Sequence, residues 1–249
     1  MRAGADAKDK VSLKEAVGVC AFFLVLFFTF RAFAFQQFHI PSGSMKPTLL
    51  VGDVLAVAKY TYGYSRYSLP LSLPLFSGRI FAGTPARGDI VVFRLPENPS
   101  EDLIKRIVGL PGDRVQMVVG VLHINDVPVR RQRLDDEVVT DEIPGESIVA
   151  KRWRETLPNG VSYITLDLFD DGDFDDTEVF VVPDGHYFMM GDNRDGSTDS
   201  RSDVGYVPFE NIVGQAKIIY FSIGDGVPAW QVWKWPSALR FSRFFTTIQ

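Results

Sequence analysis

A chain of 249 residues with 46% hydrophobic residues and a net charge of −5 has room for one anchor and one sizeable globular region. The acidic balance excludes the basic footprint of a nucleic-acid binder, so no nucleic-acid partner is expected. Its single cysteine, Cys20, excludes an intramolecular disulfide and a cysteine-based zinc site, and no metal or cofactor is expected.

The first predicted element is an apolar helix over 16–35. Ala16 to Phe30 carries no charge, Arg31 interrupts the run, and Ala32 to Phe35 resumes it. Such a helix rises about 30 Å, enough for a bilayer core, with Arg31 placed to snorkel to the headgroups. Arg2, Lys8, Lys10 and Lys14 precede it and only Arg31 marks its far end. The positive-inside rule therefore puts residues 1–15 in the cytoplasm and 36–249 outside, in a single pass. A cleaved leader would share the basic start, and Ala32-Phe33-Ala34 resembles a cleavage site. Arg31 and two phenylalanines crowd that region and the apolar run passes through it, so an uncleaved anchor is expected.

Beyond residue 36, short β-rich runs dominate: Val54–Lys59, Asp89–Arg94, Ile104–Val108, Arg114–Val118, Val121–Ile124, Val161–Leu168, Glu178–Val182, Tyr187–Met190 and Ile212–Ser222. Turn signals such as Gly52-Asp53, Pro111-Gly112-Asp113 and Pro183-Asp184-Gly185 separate them. That spacing predicts a mainly β domain, a sandwich or barrel. Residues 60–87 read as a long irregular loop, and the charged stretch 130–160 as loops within an inserted lobe. The acidic run Asp167–Asp176 lacks the glycine and terminal glutamate of a calcium-binding EF-hand loop and reads as a solvated turn. Trp230–Phe245 mixes tryptophans and phenylalanines with Lys234, Arg240 and Arg243, which suits either a membrane interface or packing on the β core.

Three segments carry chemistry. Ile40–Leu49 places Ser42 and Ser44 in a proline-bounded turn, with Gly43 allowing close backbone approach. In Asp102–Asp113, Lys105 sits in an apolar strand-like run, sharing a face with Ile107 while Arg106 and Val108 share the other. A lysine desolvated there loses proton affinity and can take a proton from a serine hydroxyl. Gly191–Arg201 is dense in hydrogen-bonding groups. Each segment alone is an ordinary turn or strand.

Together they are specific. Ile40–Leu49 closely resembles the nucleophile box of the bacterial type I signal peptidases. Gly52–Lys59 with Tyr62-Gly63 is similar to the strand that follows it, Ile104–Asp113 to the lysine box, and Gly191–Arg201 to the box near the end of the catalytic domain, all in the family's order. The resemblance implies a membrane-bound serine endopeptidase of the bacterial cytoplasmic membrane. Such an enzyme removes signal peptides from exported preproteins after small residues, at Ala-x-Ala type sites near the export machinery. Ser44 would be the nucleophile and Lys105 the general base. Ser42 would serve the oxyanion with the Ser44 backbone N–H, Ser197 would hydrogen-bond and orient Lys105, and Asp199 and Arg201 would support the site. Ile40, Met45, Leu49 and Ile104 would form the substrate pockets. The implied fold is an antiparallel β catalytic domain with a smaller inserted β lobe near 125–185, preceded by one transmembrane helix. Leu103 stands where the family commonly has an aromatic residue.

Other assignments compete. His39 is near Ser44 in sequence and acids are plentiful, as a Ser-His-Asp hydrolase needs, but no G-x-S-x-G elbow surrounds Ser44. Lys46 is a second candidate base, two residues from Ser44, with nothing nearby to desolvate it. Self-cleaving repressors of the SOS type share Ser/Lys chemistry, but they lack a membrane segment and carry a DNA-binding half. A non-catalytic membrane-anchored β domain that binds exported chains is the alternative from a different class.

Overall fold

The structure, a computed structural model, describes residues 12–69, 72, 76–140, 147–224, 227 and 231–248. Most of the expected tail 1–15, and Trp230, lie outside them.

Helix α1 runs Leu13–Phe33, and the Glu15 carboxylate accepts the Ser12 backbone N–H at its start (2.9 Å). Val17, Phe22, Leu24 and Phe28 are each more than half exposed. Among the described residues, no helix is long and apolar enough to cross a membrane. The apolar run expected as helix to residue 35 turns earlier, because Phe35 already pairs with Ala58 in a strand.

The strands in chain order are β1 Phe35–His39, β2 Asp53–Ala58, β3 Ile90–Arg94, β4 Asp102–Gly109, β5 Arg114–Val118, β6 Val121–Ile124, β7 Val127–Pro128 and β8 Arg130–Arg133. They continue as β9 Glu137–Thr140, β10 Ser147–Thr156, β11 Ser162–Asp167, β12 Phe180–Val181, β13 His186–Met190, β14 Val207–Pro208, β15 Ile212–Ser222 and β16 Thr246–Thr247. The main sheet has the order β1-β2-β15-β3-β4-β13-β14, with β16 on β15. Its strands pair antiparallel, and Ile40, Leu55, Val57, Ile90, Val92, Val213 and Ile219 fill a core beneath it. The mainly β architecture is what the turn spacing predicted, and the antiparallel pairing is what the family resemblance implied.

Strands β5 to β12 leave that sheet. They form two smaller ones, β12-β5-β6-β7 and β11-β10-β8 with β9 on β10. The excursion runs from Arg114 to Val181, so it begins earlier than residue 125. Three of its strands, β8, β9 and β10, correct the reading of 130–160 as loops. In β8 and in residues 151–156 of β10 charged side chains fall on both faces, so no apolar alternation marks them there. Arginine stacking replaces it: the Arg131 and Arg133 guanidinium carbons lie 4.1 and 5.2 Å from the Trp153 ring centre. Among its described residues the 60–87 segment is irregular apart from short 3₁₀ turns such as Tyr60–Tyr62 and Arg66–Ser68 and a single bridge between Tyr64 and Ile80. Arg79 fastens it through the carbonyls of Gly63 (2.9 Å) and Phe209 (2.8 Å).

The acidic loop is hydrogen-bonded to its neighbours rather than merely solvated. Asp175 caps Gly172 N (2.9 Å) and Asp176 accepts Val119 N (2.8 Å). The tail, with helix α2 at Trp235–Ala238, divides its residues between two environments. Trp235 and Phe244 pack on Phe221, with ring centres 5.9 and 5.3 Å away, while Trp233, Phe241 and Phe245 are exposed.

Candidate active site

Ser44 lies in the turn that follows β1, and Lys105 in the middle of β4. The turn is closed by Lys46 N on Gly43 O and Leu49 N on Met45 O (both 2.9 Å). Both side chains are buried, and Lys105 Nζ stands 2.6 Å from Ser44 Oγ. Burial pushes the Lys105 amine down to about 8; Asp199 and Asp192 pull it back up and Arg201 pushes it further down. Among the described residues no histidine bonds Ser44. His39 is exposed on β1, opposite Val54. Lys46 is half-buried beside the cis peptide Lys46-Pro47.

Ser42 Oγ lies 3.5 Å from Ser44 Oγ, at the limit of a hydrogen bond, and Ser42 is exposed. Ser197 is buried, yet its hydroxyl has no hydrogen-bond partner, so the bond expected from it to Lys105 is not formed; Lys105 bonds Ser44 instead. Its proximity is clear from Gly191, where a Cβ would sit 2.2 Å from Ser197 Oγ and 2.5 Å from the Ser44 carbonyl oxygen. Only glycine lets that loop close on the nucleophile turn. Asp199 accepts Gly191 N (2.9 Å) and both Arg201 Nε (2.9 Å) and Nη2 (2.8 Å). Burial alone would raise the Asp199 carboxyl, but the charge and hydrogen bonds of Arg201 hold it below the usual carboxylate range. Ile40, Met45 and Leu49 are buried in the main core, and Ile104 packs partly buried against it.

Sequence reasoning did not find the struts around this pair. Arg106, fully buried, grips Asp192 through Nε (2.9 Å) and Nη2 (2.8 Å) and donates to Gly88 O (2.8 Å). Asp192 also accepts the Thr48 hydroxyl (2.5 Å), and Asn193 N donates to Ser44 O (3.1 Å). Arg194 forks onto Glu155 of β10 (2.9 and 2.5 Å), and Tyr163 of β11 donates to the same carboxylate (3.0 Å). The guanidinium of Arg106 lies 4.0 Å from the Tyr163 ring centre, so one buried network ties the smaller sheets to the nucleophile turn. The available signal was the run of acids and arginines in Gly191–Arg201, which gives no pairing by itself.

The pair lies beside a stretch of β4 that is laddered on one side only. Residues 102–105 of β4 ladder with β3 on one side, whereas β13 pairs only with 106–109 on the other. A serine hydroxyl against a dry amine, next to an open strand edge, is the arrangement of a serine hydrolase that works on extended peptides with a lysine base. The comparisons agree with that class. The family model described as signal peptidase, peptidase S26, matches residues 13–221. The signal peptidase I of Rickettsia typhi is 38% identical over 98% of this chain and 97% of its own length. That of Rickettsia conorii is 44% identical over 84% of this chain and 80% of its own. A solved signal peptidase I from Enterococcus faecalis aligns over 53% of this chain and 97% of its own, at 26% identity, with a TM-score of 0.31 that is too low to carry weight. The chain belongs to the signal peptidase family, peptidase S26.

Proposed function

We propose that this chain is a membrane-anchored serine endopeptidase that removes signal peptides from exported preproteins, with Ser44 as nucleophile and Lys105 as general base. The observation that carries the reading is the 2.6 Å contact between Lys105 Nζ and Ser44 Oγ, both out of water. The precursor's cleavage region adds as a strand along the open edge of β4 at 102–105. Neutral Lys105 takes the Ser44 proton as Oγ attacks the carbonyl of a small residue. Ser42 and the Ser44 backbone N–H serve the oxyanion. Protonated Lys105 then passes its proton to the leaving amine, and a water it activates hydrolyses the ester. Ser197, whose buried hydroxyl is unpartnered, is placed to orient Lys105 once it moves toward the leaving group. Asp199 and Arg201 hold the loop, and Ile104 with the core residues Ile40, Met45 and Leu49 shapes the pocket walls.

The anchor is part of the same proposal. The apolar side chains of α1, Val17, Phe22, Leu24 and Phe28, project with no packed face, and the positive charges precede it, which favours a single pass through a bacterial cytoplasmic membrane with 36–249 outside. The catalytic domain would then meet lipid and arriving export substrates at one surface, and residues 114–181 would form its inserted lobe.

The test uses detergent-solubilised protein and a precursor with an Ala-x-Ala site. Wild type should cut after the second alanine, and Ser44→Ala and Lys105→Ala, still folded, should not. A folded wild type that cuts no precursor would move the chain to the binding-domain alternative, and an active Lys105→Ala would remove the lysine as base.

A further inference from the structure

The turn that carries Ser44 is held from outside by a segment far along the chain. Thr48 lies one turn beyond Ser44. Its hydroxyl is fixed by Asp192 (2.5 Å), and its carbonyl accepts Nη2 of Arg243 (3.0 Å), 195 residues away in sequence. The same guanidinium grips Asp53 through Nη2 (2.6 Å) and Nε (3.1 Å). Asp53 is fully buried and also accepts Leu50 N (2.8 Å) and the Ser222 hydroxyl (2.7 Å). Residues 48–53 therefore wrap one carboxylate whose ion-pair partner is Arg243. Arg240 adds a bond to Val51 O (2.8 Å), and Gly52 lies against Ile223 so tightly that a Cβ would come 2.0 Å from its carbonyl oxygen. No side chain of this clamp hydrogen-bonds Ser44 or Lys105.

We propose that Arg243 is a positioning residue for the reaction: by closing the Thr48–Asp53 turn from its outer side it sets where Ser44 meets Lys105. Thr48 has two anchors, and the inner one, Asp192, belongs to the active-site loop itself. Without Arg243 the Asp53 carboxylate is left buried without its countercharge, and the turn must open to hydrate it. A displacement of about 1 Å between reacting groups is enough to lower a rate on the order of 10²-fold. Opening also admits water to Lys105, while Asp199, Asp192 and Arg201, the charges that face it, stay in place.

The inference rests on the Ser44 and Lys105 assignment, so the experiment separates the two. The full chain in detergent is assayed for precursor cleavage across pH as wild type, Arg243→Ala, Arg243→Lys and, as control, Phe245→Ala, whose side chain is 75% exposed. Active sites are counted with a serine-acylating probe. Arg243→Ala should lower kcat per active site by about 10–100-fold with KM little changed. The acidic limb of kcat/KM should move up by about one pH unit as Lys105 regains solvent. Arg243→Lys should recover part of both, because an ammonium can neutralise Asp53 but cannot fork onto Thr48 as well. An unchanged kcat and limb per active site in Arg243→Ala, or in Arg243→Lys if the alanine variant does not fold, overturns the inference and leaves Arg243 as a stability residue only. A folded wild type that neither cleaves a precursor nor is labelled by the probe sinks the Ser44 and Lys105 assignment instead, and the inference, which rests on it, falls with it.

Discussion

Lys105 and Arg106 are consecutive residues of β4, 3% and 0% exposed, and their chemistry diverges. The amine of Lys105 meets a neutral hydroxyl, and burial drives its proton affinity down to about 8. The guanidinium of Arg106 meets Asp192 in a two-pronged contact. There burial would lower its affinity, but the charge and hydrogen bonding of Asp192 outweigh it and raise it. Equal burial thus yields a base on one face of the strand and a strut on the other. The presence of a carboxylate at contact distance decides which, as the buried-charge rule requires.

The sharpest way to break that comparison is Lys105→Met, which keeps the length of the side chain and removes the amine. Precursor cleavage should fall by about 10³-fold or more. Stability should move the other way. In the unfolded chain the lysine titrates near its ordinary 10.5 and in the folded chain at about 8. Between those values the unfolded chain binds more protons, so wild-type stability rises with pH across that window. Methionine should therefore stabilise the fold by roughly 3 kcal/mol well below pH 8, with the gain vanishing above pH 10.5. Denaturant melts at several pH values read this directly, and a gain independent of pH would show that Lys105 is not a desolvated base.

Asp192→Asn attacks the other face. It strands the Arg106 charge in the interior, and breaking a buried pair on one side typically lowers stability by about 3–5 kcal/mol. Asp192 is also one of the two carboxylates that raise Lys105. Its loss should shift the acidic limb of kcat/KM in the surviving folded enzyme to lower pH, the opposite of the shift expected for Arg243→Ala. A limb that stays put would mean that the two faces are electrically independent.

Much of this arrangement was legible before the fold was known. Turn residues bounded most main-sheet strands to within one or two positions, as for Asp89–Arg94 and Ile212–Ser222, because those strands carry an apolar face. The Ser44 and Lys105 neighbourhood was legible because both lie in local sequence patterns of high specificity. What was not legible depends on partners distant in the chain. Residues 151–156 of β10 have no apolar alternation, since Glu155 is buried against Arg194 and the half-buried Trp153 ring is stacked by two arginines. Strand β1 (FQQFH) hides its register because it borrows the edge of β2. Asp192 and Thr48 meet across 144 residues, and no periodicity encodes such a contact.

Glu155→Gln asks whether the arginine logic extends to the smaller sheets. Glutamine keeps the shape and can still accept from Tyr163, but it gives Arg194 a neutral partner. As with Asp192→Asn, the expected loss is about 3–5 kcal/mol, but cleavage per active site should stay nearly unchanged, since Glu155 touches neither Ser44 nor Lys105. A collapse of activity at constant folding would instead make the Arg194–Glu155 contact part of the catalytic geometry.

The smallest effect belongs to the same residue type placed in water. Arg114 pairs with Asp126 at 3.2 Å, close to the distances in the Arg106 pair, but with side chains 48% and 67% exposed. Solvent already satisfies both charges, so Arg114→Ala should change stability by about 0–1 kcal/mol and weaken further in its effect as salt is added. Measured beside Asp192→Asn in one set of denaturant melts, it isolates burial from the ion pair itself. A loss comparable to that of the buried pair would mean that contact distance, rather than desolvation, governs the arginines of this fold, and the same conclusion would then remove the reason for Lys105 to titrate low.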